Sequence, residues 1–142
     1  MQNEPHRPTG APIAVRRVAA VLVIVAGTLA VASAAHLSGH VTGRGVLFDA
    51  DHAGIAEALI GAVLLGSAAT MLRRPAQART IGLAATGFAT LGFLVGLSIT
   101  AQAGHWPDIT YHLAVLPVLI GSLVVLWRAT DRTQSKHLVN RS

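Results

Sequence analysis

The sequence predicts an all-α, polytopic membrane protein, with four transmembrane helices in a compact bundle that internal similarity divides into two tandem helical hairpins. Three observations carry this. Of 142 residues, 52% are hydrophobic and only 12% charged, whereas soluble domains carry about a quarter charged residues. The apolar residues gather into four runs, each near the roughly 20 residues that a membrane span needs. The basic residues fall almost wholly on one side of those runs. A water-soluble fold of this size would need far more polar cover, which excludes an ordinary soluble enzyme and a disordered tail.

Residues 1–17 carry Pro5, Pro8 and Pro12 with Glu4, His6, Arg7, Arg16 and Arg17 and show no apolar period. They are expected to form a flexible cytoplasmic tail. The transmembrane domain covers 18–127, with spans at about 18–37, 52–72, 80–103 and 109–127; residues 128–142 form a basic cytoplasmic tail. Backbone groups in lipid must bond internally, so each span should be helical. Arg16-Arg17, an apolar stretch and Ala32-Ser33-Ala34 resemble a cleavable signal. The first run exceeds the roughly 7–15 residues of a signal core, so retention is expected.

Orientation follows from Arg and Lys. Arg7, Arg16 and Arg17, then Arg73, Arg74 and Arg79, then Arg128, Arg132, Lys136 and Arg141 share one side, because two spans separate each group from the next. Only Arg44 lies opposite. This bias places both termini in the cytoplasm, with the tails against anionic inner-leaflet lipids. Topology thus explains a pI near 11.4 without nucleic acid as a partner. Ten Arg against one Lys, with abundant Ala and Gly, point to a GC-rich bacterial genome and therefore to a bacterial plasma membrane. The absence of Cys excludes disulfides, thiolate metal sites and iron–sulfur clusters.

Small residues recur every fourth position: Gly54, Ala58, Ala62, Gly66 and Thr70 in the second run; Gly92, Gly96 and Thr100 in the third; Ala26, Ala30 and Ala34 in the first. Lipid supplies no hydrophobic drive between helices, so such stripes are expected to let backbones approach. A shift of 65 residues sets Gly39-His40 on Gly104-His105, and a shift of 60 sets His52 on His112. Two such hairpins would be parallel repeats about an axis along the membrane normal.

The chemistry gathers on the outer side. His36, His40, His52, His105 and His112 lie there with Asp49, Asp51, Glu57 and Asp108. Imidazole and carboxylate together suit a divalent transition metal such as Zn or Cu, and two histidines suit haem less well so near the membrane edge. The candidate metal ligands are His40, His52, His105, His112 and Glu57, with His36, Asp51 and Asp108 secondary. The competing reading is structural, since Asp49, Asp51 and Asp108 are placed to cap helices. Glu57 is the one acid inside a span, turned toward helix packing by Gly54 and Gly61. An ideal helix sets it about 140° from His52, so a histidine on another helix is its expected partner. Pro117 frees a carbonyl in the last run, which could widen the outer end.

Two functional readings follow. One is a membrane protein binding a metal ion or haem, for sensing, delivery or electron transfer. The other is a small oligomeric transporter or accessory membrane subunit with Glu57 as its proton or cation site. No nucleophile–base pair is visible, so the balance is against an enzyme. Topology is testable directly. Reporter fusions at Pro75 and Ser142 should both read cytoplasmic, and intact mass should show the Ala34–Ala35 bond uncut; an external reading at either fusion overturns the orientation.

Overall fold

The structure is a computed structural model and describes residues 12–40 and 49–129. Four helices run through them: α1 Ile13–Leu37, α2 Ala50–Arg73, α3 Ala78–Ala103 and α4 Trp106–Arg128. Each is long and apolar enough to cross a membrane, which suggests a multi-pass membrane protein. Packing is closest between α1 and α2 and between α3 and α4, with α2 against α3 joining the two pairs. Most of both expected tails and the loop holding Arg44 lie outside the described residues.

The helices start earlier than hydropathy implied. α1 opens at Ile13 rather than 18, because Val15, Val18 and Ala19 form one buried face while Arg16 and Arg17 remain exposed. α4 opens at Trp106 rather than 109, with a proline in its first turn, where the missing N–H has no intrahelical role. α2 is capped by Asp49, whose carboxylate accepts from the amides of Asp51 and His52 at 3.0 and 3.2 Å. Asp51 therefore sits in the first turn instead of at the cap.

The first helix of each pair ends in the same way. Gly39 and Gly104 adopt φ of 73° and 69°, the left-handed region that glycine enters without steric cost. The amides of Gly39 and His40 donate to the carbonyls of His36 and Ala35, and those of Gly104 and His105 to Ala101 and Thr100. This is the glycine-terminated turn that satisfies the last carbonyls of a helix, and it falls on the repeated Gly-His pair.

All four helices are apolar on their outward sides too: Val31 is 72% exposed and Ile24 66%. Apolarity therefore does not decide which side turns inward. Polar groups and small residues do. Ser33, His36, Thr86, Thr100 and Ser122 are all buried. Ser33 Oγ donates to the Gly54 carbonyl at 2.7 Å, tying α1 to α2. Gly61 lies over the α1 backbone, where a Cβ would sit 3.5 Å from the Ala26 carbonyl. At the opposite end of the bundle, Arg79 of α3 donates from Nε to the Leu126 carbonyl at 3.3 Å and lies over the Trp127 ring. It thereby serves a carbonyl in the last turn of α4, which has no intrahelical donor.

The small-residue stripes are used unevenly. In α2 the inward face is Gly54, Gly61, Leu64, Ala68 and Met71. Ala58, Ala62 and Gly66 of the expected stripe are exposed instead. The reason is that a seven-residue period carrying Leu64 and Met71 fills the core, whereas the four-residue stripe drifts around the helix. Gly82 marks the tightest junction at the Arg-rich end: a Cβ there would meet Leu126 Cδ1 at 2.8 Å and Met71 Cε at 3.0 Å. Gly82→Leu should lower unfolding stability in detergent by about 1–3 kcal/mol through overpacking. Gly66→Leu, with nothing within 4 Å of its Cβ position, should leave it unchanged or slightly raised; thermal melts followed by circular dichroism compare the two.

Candidate functional site

The polar side chains converge at the end of the bundle where α1 and α3 finish and α2 and α4 begin. His36 occupies the last turn of α1 on the face that carries Leu22, Leu29 and Ser33, and it is 3% exposed. Its Nδ1 lies 2.8 Å from Glu57 Oε2 of α2. Glu57 stands seven residues into α2, about 10 Å along the helix. The expectation that its partner is a histidine of another helix is met by His36, not by any of the four leading metal candidates.

The second imidazole nitrogen of His36 faces α4: Nε2 is 3.5 Å from Asp108 Oδ2. Asp108 Oδ2 is also 2.9 Å from His105 Nδ1. Glu57, His36, Asp108 and His105 thus form a continuous series across three helices. A neutral imidazole carries one N–H, whereas an imidazolium carries two. His36 stands between two carboxylates, hydrogen-bonded to Glu57 and in longer electrostatic contact with Asp108.

His112, one turn further along α4, directs Nδ1 at the Asp108 carbonyl, 2.7 Å away. Its Nε2 lies against the backbone of Gly96, where any Cβ would collide with the ring. Gly96 is thus the gap in α3 that admits the imidazole. The ring also packs on Phe93, with centroids 5.1 Å apart, and Phe93 lies 5.7 Å from Tyr111. The hydroxyls of Tyr111 and Thr28 share a 2.9 Å hydrogen bond that joins α4 to α1.

These groups border a cavity of about 420 Å³. Leu29, Ile60 and Phe93 form apolar wall, His36, Glu57, Asp108, Tyr111 and His112 the polar side, and Asp49 and His52 the rim. The cavity lies between α2 and α3, away from the short turn that connects them.

The sequence candidates divide accordingly. Glu57, His105 and His112 join the cluster, as do the secondary candidates His36 and Asp108. His52 is 83% exposed and pairs with Asp49 at 3.1 Å. His40 is exposed and its Nδ1 bonds the hydroxyl of Ser38 at 2.7 Å. Asp51 is exposed in the first turn of α2. His40 and His52 are therefore not brought together with His105 and His112, and among the described residues no three His, Asp or Glu side chains are grouped so that they could hold a metal ion. His40 and His105 share a turn geometry but not a partner: His40 bonds Ser38 and His105 bonds Asp108, which has no counterpart beside His40 among the described residues. Sequence reasoning underrated His36. Its seven-residue spacing from Leu29, itself seven from Leu22, was the available sign that it faces inward.

No family model, curated protein or solved structure matches the chain. The site is therefore interpreted from its own geometry.

The Asp49 cap offers a pH test at the rim. The amide of His52, with the His52 ring and the Asp51 amide adding to it, holds its carboxyl below the usual carboxylate range, against an opposing effect of desolvation. A lowered folded-state pKa adds stability above the ordinary carboxylate range and loses it as pH falls through the lowered value. Asp49→Ala should therefore increase exchange at the Asp51 and His52 amides at neutral pH. Asp49→Asn should preserve protection, and the difference between wild type and the Ala variant should close in acid. Hydrogen exchange of the full chain in detergent reads all three.

Proposed function

We propose that this chain is a small multi-pass protein of the bacterial plasma membrane, with both termini cytoplasmic, acting as an oligomeric transporter or accessory membrane subunit. Glu57 is its proton or cation site. The observation that carries this reading is the pairing of an intramembrane acid with a buried histidine of a neighbouring helix at 2.8 Å, beside a cavity. Ionisable groups within spans are costly in lipid and are functional candidates for that reason. The identical helix-ending turns at Gly39-His40 and Gly104-His105 support an origin by duplication of one hairpin.

In this reading, a proton arriving at the outer end meets His105 and Asp108, which are 23% and 14% exposed. It passes to His36 and then to Glu57. Rotation of neither backbone nor helix is needed for that step, because His36 lies between both carboxylates. The metal-ion and haem reading gains no comparable support, since His40 and His52 have separate partners at exposed positions.

Reconstituted vesicles enclosing a pH-sensitive dye test the proposal. An imposed potential should drive proton entry that Glu57→Gln reduces by about tenfold or more, equivalent to a barrier raised by roughly 1.4 kcal/mol. His36→Ala should act in the same direction, while His40→Ala should not. Wild-type flux in a folded Glu57→Gln variant would overturn the assignment.

A further inference from the structure

We infer that the cavity between α2 and α3 is a binding site for a monovalent, ammonium-type organic cation with an apolar body, which enters from the side of the bundle. The inference rests on the reading of Glu57 as a cation-responsive site and names the ligand class.

Shape comes first. The cavity measures about 420 Å³, within the range of small-molecule sites. Its lining includes Ala56, Val95 and Ile99, all exposed on the outward faces of α2 and α3. Those faces are the ones a bilayer would cover, so the mouth is apolar and lateral. The glycines of α3 shape the interior. A Cβ on Gly92 would meet Ile60 Cδ1 at 2.6 Å, and one on Gly96 would displace His112.

Charge selects the ligand. The lining holds the carboxyl groups of Asp49, Glu57 and Asp108 and neither Lys nor Arg. A neutral apolar molecule would cover Glu57 and Asp108 and leave them only the imidazoles of His36 and His105 as partners, which burial of charge penalises. A small inorganic cation would leave the apolar wall unused, and the acidic groups are not arranged to coordinate one. An organic cation satisfies both halves. Its apolar body fills the space beside Leu29, Ile60 and Phe93, and its charge lies toward Glu57 and Asp108. The Phe93 and Tyr111 rings, together with His112, add aromatic surface within 6.0 Å of one another, and ammonium groups are attracted to aromatic faces.

The test uses the full chain in a choline-free maltoside detergent, titrated with benzyltrimethylammonium. Saturable binding is expected from the wild type. Ala56→Trp, which fills the mouth from an exposed position, should weaken it by about tenfold or more, equivalent to roughly 1.4 kcal/mol. Leu65→Trp, exposed on α2 away from the cavity, should not. The neutral isostere neopentylbenzene should show no saturable binding. Equal affinity in the Ala56→Trp variant, or for the neutral isostere, would overturn the inference. Added phosphatidylcholine distinguishes the source of the ammonium group: competition assigns the site to a lipid headgroup, and no competition assigns it to a free cation. Failure of this test with Glu57-dependent proton entry intact removes the ligand class alone. Loss of Glu57 dependence in vesicles removes the underlying reading.

Discussion

The pairing of His36 with Glu57 organises the half of this bundle where α1 and α3 end. A carboxylate and an imidazole placed within apolar helices must find partners, because neither lipid nor a hydrocarbon core can replace water. Each residue supplies the other's partner, and that requires the last turn of α1 to lie against the second turn of α2. Ser33 reinforces the same contact by donating to the Gly54 carbonyl. Asp108 then brings the start of α4 to the other side of the imidazole. Three helices are thus oriented around one ring.

The opposite end is held by different means. There the contacts are Leu126, Met71 and Gly82 in a tight apolar junction, with Arg79 serving a carbonyl of α4. The bundle is thus closely packed at the Arg-rich end, and the 420 Å³ cavity lies at the end that carries the polar cluster.

Repetition and asymmetry coexist in the fold. The Gly-His turns are built alike, yet the histidines that follow the glycines have different partners. Glu57 and Asp108 break the correspondence, one on each hairpin. The buried ion pairs fall on those departures, whereas the repeated turns end two helices alike.

The all-α class and the four helices long and apolar enough to span a membrane were legible in the sequence, because the length and apolarity such helices need are set by bilayer thickness and backbone hydrogen bonding. Glu57 stood out for a similar reason: an acid in an apolar helix is conspicuous wherever it lies. The partner of Glu57 was not legible. The spacing of His36 from Leu29 and Leu22 marks its face of α1, but only the crossing of α1 and α2 sets that face against Glu57 while His40 and His52 stay exposed. Nor could spacing show that Ala58, Ala62 and Gly66 face outward, because in helices apolar on every side the inward face is chosen by which side chains fit together. Length, charge and hydropathy belong to the chain itself; contact and cavity belong to pairs of helices, and these came only with tertiary packing.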